Sequence, residues 1–237
     1  MPHSEVHNID CLEFMKTLPD KFFDLAIVDP PYGIGEDGSK NKSRGLGIGS
    51  IKKKALGRSK DYKPYSGGDK TPPPPEYFTE LYRVSKNQII WGANHFLAKT
   101  SPCWIVWDKE NGSNDFADCE LAFTSFNTAV RKFTFKWHGM IQGDMKNKEV
   151  RLHPNQKPVA LYKWLLQNYA KQGDKIFDSH MGSQSSRIAA YHMGFDYWGC
   201  ELDKDYFNDG NKRFEREKMK QELFAPQQSL PEQIKLL

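Results

Sequence analysis

Cysteine is scarce in this chain, with four in 237 residues. Cys11, Cys103, Cys119 and Cys200 are widely scattered and form no Cys-x-x-Cys pair. That spacing argues against a disulfide frame or a zinc site and reads as buried thiols in a reducing cytosol, with no metal expected. Long apolar runs are also missing. The strongest, Ile89 to Ala98, includes Asn94 and His95 and falls well short of the roughly 18 apolar residues that span a bilayer. The opening MPHSEVHNID has neither the basic nor the apolar segment of a secretion signal. A cytoplasmic protein without a membrane segment is expected. Neither sign of charge dominates, since 34 Lys and Arg stand against 30 Asp and Glu. With 38% hydrophobic residues the chain can build a real core, and its length suits one domain with a small insert.

The charge is unevenly spread. Residues 33–70 carry ten Lys and Arg against four Asp and Glu, and nine of the eighteen glycines. So few large apolar groups cannot offset chain entropy, so a mobile surface loop is expected there. A long loop of this kind inside a compact domain is usually functional. Its basic residues, among them Lys40, Lys42, Arg44, Lys52, Lys53 and Lys54, suit a polyanionic partner on which the loop orders. A solvated insertion without a role is the plain alternative.

Along the chain, Asp10 and Glu13 form a capping-box pattern at the start of a short helix, Cys11 to Leu18. Phe23 to Val28 is an apolar strand that Pro30 and Pro31 must end. Pro75 suits the first position of a helix after the run TPPPP. Gln88 to Trp91 and Cys103 to Trp107 read as strands, Glu120 to Phe135 mixes strand signals with basic residues, and Trp137 to Leu152 reads as an irregular polar insert. The last third alternates. A helix over Lys157 to Lys171 is followed by a strand over Asp174 to Asp178, and a helix over Gln184 to Met193 by a strand over Tyr197 to Glu201. Such alternation implies βαβ units and a mostly parallel sheet covered on both faces. Asn211 to Glu222 is a charged helix expected to be solvated.

The strongest motif is FDLAIVDPPYG, Phe23 to Gly33. Ligands of open α/β sheets bind beyond the carboxyl ends of strands, where Asp29 would lie. Pro30 and Pro31 have no N–H, so their carbonyls can face a ligand on a stiffened turn. Tyr32 offers a flat face. A carboxylate, a fixed carbonyl and an aromatic ring together suit a planar molecule bearing an exocyclic amino group.

In the second block, Asp178 ends a strand and Ser179 to Ser185 forms a small-residue turn into a helix. Backbone N–H groups can approach a ligand there, and the helix N-terminus favours a carboxylate. Glu201, at the end of the next strand, is placed to bind ribose hydroxyls. Gly33 to Gly38 fits GxGxxG, but Pro30 and Pro31 intervene and no helical pattern follows, so a dinucleotide fingerprint is set aside.

Asp29-Pro30-Pro31-Tyr32 after such a strand resembles the catalytic motif of the amino-group DNA methyltransferases, which methylate adenine N6 or cytosine N4. His153 to Phe207, with HPNQKP, DKIFDSHMGSQSSRIAAYHMG and GCELDKDYF, resembles the family's cofactor half. The likeness covers about residues 8–32 and 86–207. With the catalytic motif first, the order resembles the circularly permuted β-class. The resemblance implies a Rossmann-like class I S-adenosylmethionine-dependent fold in a single catalytic domain, with a mostly parallel seven-stranded sheet and helices on both faces. It implies S-adenosylmethionine as cofactor, bound by Asp178, Ser179, His180, Gly182, Ser183, Gln184, Ser185 and Glu201. It puts Asp10 and Cys11 near the adenine ring, although Asp10 also reads as a helix cap, and Lys157 near the methionine carboxylate.

Two departures stand out. His180 occupies the place of a phenylalanine and reads as a structural hydrogen-bonder. Gln184 occupies the place of a glycine; either it crowds the backbone near the cofactor or the site is a variant that tolerates it.

The implied activity is methylation of adenine N6 in double-stranded DNA with the base flipped out. Asp29 and the Pro30 carbonyl would accept the amino hydrogens, and Tyr32 would stack on the base. The basic loop with Arg131, Lys132, Lys136, Lys146, Lys148 and Arg151 would neutralise phosphates, and residues 135–152 would read bases. Cytosine N4, an RNA or glutamine amino group, and a catalytically idle DNA-binding module are the rivals. Dimers are frequent in the family, so a homodimer stays open, with no residue marking an interface.

Overall fold

The computed structural model describes residues 1–35, 68–97, 99–111, 117–138 and 141–224. Lys40, Lys42, Arg44, Lys52, Lys53 and Lys54, and most of the expected basic loop, lie outside them.

The described strands are β1 (Ser4–His7), β2 (Phe23–Val28), β3 (Ser85–Trp91), β4 (Trp104–Asp108), β5 (Cys119–Thr124), β6 (Arg131–Thr134), β7 (Trp137–His138), β8 (Ile141–Gln142), β9 (Lys175–Asp178) and β10 (Asp196–Cys200). The helices are α1 (Cys11–Lys16), α2 (Pro75–Val84), α3 (Val159–Tyr169), α4 (Ser185–Met193) and α5 (Lys204–Phe224). Eight strands form one sheet in the order β1-β10-β9-β2-β3-β5-β4-β6. Only β5 runs antiparallel to its neighbours, so the sheet is mostly parallel as expected. The strand number corrects the expectation of seven. The stretch Glu120 to Phe135 resolves into two strands, and the second, β6, pairs parallel with β4 at the sheet edge.

β2 sits in the middle and is buried on both sides. Leu25 and Ile27 pack with Leu161, Leu165 and Ala189 from α3 and α4, whereas Ala26 and Val28 pack with Phe14, Met15 and Leu81 from α1 and α2. A strand hydrophobic on both faces needs helices on both, and these two clusters supply them. Asp24, at the other end of β2, ties three strands together. Its carboxylate accepts from Lys86 Nζ at 2.6 Å and from the Lys175 backbone N–H at 2.9 Å.

Three smaller expectations change. Cys119 is exposed and Cys11 half-buried, while Cys103 and Cys200 are buried, so the thiols are not uniformly internal. The insert holds a small hairpin, β7 paired with β8, anchored by the buried Trp137, whose indole N–H donates to the Gln156 carbonyl at 2.8 Å. The last helix is longer than Asn211 to Glu222 and is not simply solvated, because Tyr206, Arg213 and Phe214 are buried. Composition alone hid that face, since its anchor is an arginine. No described helix is long and apolar enough to cross a membrane.

Candidate active site

The carboxyl ends of the parallel strands lie along one edge of the sheet, which is where each motif delivers its chemistry. β2 and β9 are direct neighbours, with Leu25 opposite Ile176 and Ala26 opposite Phe177. Asp29, just past the end of β2, and Asp178, the last residue of β9, therefore emerge side by side. Adjacent strands lie about 4.8 Å apart, so two motifs separated by almost 150 positions share one cleft edge.

Asp29 sits in a tight charge cluster. Its Oδ2 meets Lys157 Nζ at 2.5 Å, and its Oδ1 accepts from the Tyr32 hydroxyl at 2.7 Å. Lys157 is almost fully buried, with its side chain 4% exposed, and also meets Glu120 Oε2 at 3.1 Å. Glu120 in turn pairs with Lys109. Burial pushes the Asp29 carboxyl above the usual aspartate range, and Lys157 pulls against that push. Burial also raises Glu120, but Lys157 and Lys109 outweigh it and hold the group at about 2. Burial works against the charge of Lys157 as well, yet its two carboxylates win and raise its pKa. Removing either partner would leave an uncompensated buried charge, the costly case for buried pairs.

Pro30 is buried, and Pro31 and Tyr32 are half-buried. The Tyr32 ring lies over Gly92, just past β3, where a Cβ would meet its Cε1 at 2.0 Å. Gly92 also has φ +67°, which independently favours glycine. On the outside the ring stacks on the exposed His95, with centroids 5.3 Å apart and planes at 18°.

The turn after Asp178 is densely bonded. Asp178 accepts from the His180 backbone N–H at 3.0 Å and from Ser186 Oγ at 2.6 Å. Burial, aided by Asp29 and Glu201, still lifts it to about 7. Ser179 Oγ lies 2.6 Å from the Tyr77 hydroxyl and 2.8 Å from His180 Nδ1, and His180 Nε2 lies 3.9 Å from Cys11 Sγ. Burial lowers His180 to about 4, so it is neutral near pH 7, and raises Cys11 to about 12. The two Glu201 oxygens accept from the Gly182 and Asp203 backbone N–H groups at 2.8 and 2.9 Å, which fixes the carboxylate beside the turn. Asp10 is a helix cap, its Oδ1 accepting from Leu12 and Glu13 N–H.

Gln184 answers the question its position raised. It has φ +61° and ψ +29°, the left-handed region where glycine is free of strain. Its side chain is fully buried and turns toward α5 rather than staying over the turn. Nε2 donates to Asn211 Oδ1 at 3.0 Å and to the Phe207 carbonyl at 3.3 Å, while Oε1 accepts from Arg187 at 2.9 Å. Gly210 makes room for it, since a Cβ there would lie 2.7 Å from Gln184 Cγ. Ser183 and Ser185 are held from the same side. Buried Arg213 donates to the Ser183 carbonyl at 2.7 Å, to Ser185 Oγ at 2.9 Å and to Glu149 Oε2 at 2.6 Å.

The structure thus gathers Asp29, Pro30, Pro31, Tyr32 and Lys157 with Asp178 and the turn. Lys157, which the resemblance assigns to the cofactor's carboxylate, is engaged by two carboxylates of the protein itself. Arg131, Lys132, Lys146 and Lys148 are exposed, with Lys132 paired to Asp108 at 3.2 Å. Lys136 is half-buried, and so is Arg151, which lies 5.5 Å over the Trp137 ring and donates to the Pro154 carbonyl. Sequence reasoning misses Glu120, Lys109, Tyr77 and Arg213. Nothing in their local pattern marks them, because each reaches the site through a sheet or helix pairing distant in sequence.

Comparison with known proteins points the same way. Residues 107–212 match the family model described as DNA methylase. The type II methyltransferase M.HinfI of Haemophilus influenzae is 22% identical over 86% of this chain, which spans 66% of that relative's length. M.HpaI of Haemophilus parainfluenzae is 24% identical over 88% of this chain and 73% of its own. Among solved structures, TTHA0409 of Thermus thermophilus, solved in complex with S-adenosylmethionine, shares the fold with a TM-score of 0.53 and 15% identity, over 92% of this chain and 94% of that one. In sequence the chain is similar to DNA methylases, and in fold it is similar to solved DNA methyltransferase structures.

Proposed function

We propose that this protein transfers a methyl group from S-adenosylmethionine to the N6 amino group of adenine in double-stranded DNA, with the base turned out of the helix. The observation that carries this reading is the β2–β9 seam, which sets the Asp29 clamp beside the small-residue turn after Asp178. The order of these halves along the chain supports the circularly permuted β-class arrangement.

The residues around the turn fit the cofactor. After burial as the main cause, Asp29 and Glu201 both act on Asp178 and help lift it to about 7. A concentration of carboxylates suits a cationic sulfonium. Glu201, oriented by Gly182 and Asp203, is the candidate for ribose hydroxyls, Asp10 and Cys11 for the adenine side, and residues 179–185 for close backbone approach. When bound, S-adenosylmethionine supplies an electrophilic methyl group on sulfur.

An adenine amino group is a weak nucleophile because its lone pair is delocalised into the ring. Asp29 Oδ1 and the Pro30 carbonyl accept its two hydrogens and localise that pair, with Asp29 Oδ1 exchanging the Tyr32 hydroxyl for the substrate. Asp29 would then be placed to take the amino proton released as the nitrogen accepts the methyl group. Holding both reactants in contact supplies much of the acceleration. A base inside a duplex cannot reach this cleft, so it is flipped and stacks at Tyr32, joining or displacing His95. Arg131, Lys132, Lys136, Lys146, Lys148 and Arg151 supply phosphate contacts, and the hairpin region 135–152 reads bases.

The test combines unmethylated genomic DNA, radiolabelled S-adenosylmethionine and nucleoside mass spectrometry of the product. N6-methyladenine is expected; N4-methylcytosine would move the acceptor, and label entering only RNA would move the substrate. Asp29→Ala should lose methyl transfer by about 10³-fold or more, as removal of a group acting at the reacting atom does, and keep cofactor binding within a few-fold by calorimetry. Full activity in Asp29→Ala, or no heat on titrating the wild type with cofactor, ends this reading.

A further inference from the structure

The catalytic motif and the cofactor turn leave two charged residues of the cluster without a role. Glu120 stands near the start of β5, the one antiparallel strand of the sheet, so its side chain arrives at the same edge as the carboxyl ends of the parallel strands. Lys109 follows β4, the strand paired with β5, with Asp108 opposite Cys119. The result is an alternating chain of charge, Asp29, Lys157, Glu120 and Lys109, running from the clamp toward the outside. Glu120 also lies 3.5 Å from the Tyr32 hydroxyl, so it faces the clamp from two directions. The Lys157 ammonium also lies near two rings, 5.4 Å from the Trp91 centroid and 5.7 Å from that of Tyr32.

We propose that Glu120 is a positioning residue of the methyl-transfer site, acting through Lys157 to set the strength of the Asp29 carboxylate as a hydrogen-bond acceptor. This rests on the methyltransferase reading above. Lys157 alone, in contact with Asp29 Oδ2, draws negative charge away from the oxygen that must hold the substrate amino group. Glu120 shares that ammonium and returns part of the charge, and Lys109 compensates Glu120 in turn. The clamp is then a stronger acceptor than it would be beside Lys157 alone.

The other titratable groups facing this cluster are Tyr162 from α3, His153 from the segment before it, and Asp178 from β9. Burial keeps Tyr162 protonated, and it holds His153 at about 3, neutral in the working range. Asp178, at about 7, does titrate there, but it is common to every variant compared below.

The experiment is the pH profile of single-turnover methyl transfer, with radiolabelled S-adenosylmethionine and unmethylated genomic DNA, for wild type, Glu120→Gln, Lys157→Met, Lys157→Arg and Lys109→Met. Glu120→Gln removes a negative charge that shares the Lys157 ammonium with Asp29, so the acid limb should move down by about one pH unit. Its plateau rate should fall about tenfold, with cofactor affinity by calorimetry unchanged within threefold. Lys157→Met should move the limb the opposite way, and Lys157→Arg should restore most of it. If Glu120→Gln folds poorly by thermal melting, Lys109→Met carries the test, with a smaller upward movement of the limb expected. Opposite movements cannot come from a loss of folded protein. Coincident acid limbs in all variants, or a rate loss without a limb shift, would overturn the proposal and leave the methyltransferase reading intact. A wild type inactive on every nucleic acid would remove both.

Discussion

Gln184 offers the most demanding check of the local physics, because strain and burial pull in opposite directions there. In the left-handed region a side chain costs roughly 1 kcal/mol relative to glycine. Against that stand three buried hydrogen bonds, to Asn211, Phe207 and Arg187, and the filling of the notch above Gly210. Each such bond contributes about 1 kcal/mol net, and truncating a well-packed buried side chain adds about 2 kcal/mol of lost contact and cavity. All three bonds go with the side chain, but Arg187 and Asn211 still satisfy each other at 2.8 Å, so only the bond to the Phe207 carbonyl adds its full cost. Gln184→Ala loses the side chain and keeps the strain, and should be destabilised by about 3 kcal/mol. Gln184→Gly loses the same side chain but relieves the strain, and should fall by only about 2 kcal/mol. Urea denaturation monitored by tryptophan fluorescence measures both. Because the side chain points into α5, cofactor affinity of Gln184→Gly should stay within about threefold of wild type after correction for the unfolded fraction. A glycine variant less stable than the alanine variant would refute the backbone argument. A tenfold gain in cofactor affinity would show that the glutamine does crowd the turn.

Two further predictions concern contacts on either side of the cleft. Gly92→Ala places a methyl group 2.0 Å from Tyr32 Cε1 at a left-handed backbone position; it should cost at least about 2 kcal/mol in thermal denaturation and displace the Tyr32 hydroxyl from Asp29, and unchanged stability would contradict the packing described. Asp24 lies below the usual aspartate range because Lys175 N–H and Lys86 outweigh burial. A carboxyl depressed in the folded state stabilises above its unfolded pKa and loses that contribution as pH falls through its folded value. Asp24→Asn should therefore cost about 1 kcal/mol near neutrality, with the gap to wild type closing as pH falls below the unfolded aspartate value of about 3.9; a gap that stays constant through the acid range would show that the charge plays no part.

Much of the architecture was legible because its signals are local. The strand Phe23–Val28 ends at the prolines as their missing N–H groups require, Asp10 caps α1, Pro75 starts α2, and Gly194 stops α4 in the left-handed conformation. The eighth strand was not separable because Arg131–Thr134 is short, basic and largely exposed, and its strand character comes from pairing with β4. The motif residues of the cleft could be named from their own spelling. The partners that set their charge could not. Glu120 and Lys109 are ordinary charged residues in sequence and acquire their role only where an antiparallel strand points them at Lys157. The strain at Gln184 was visible as an odd residue in a glycine's place, but the notch at Gly210 that accommodates it lies on another helix.

The seam between β2 and β9 also bears on how the molecule folds. β1 and β2 are near in sequence, yet β10 and β9 stand between them in the sheet, so the first strands wait for late ones to wedge in. Closing a loop of about 150 residues is slow and entropically expensive compared with hairpin formation. Any species halted before that insertion has a sheet without a middle and offers no cleft. Binding competence and completed folding should thus arrive together, as a single late event.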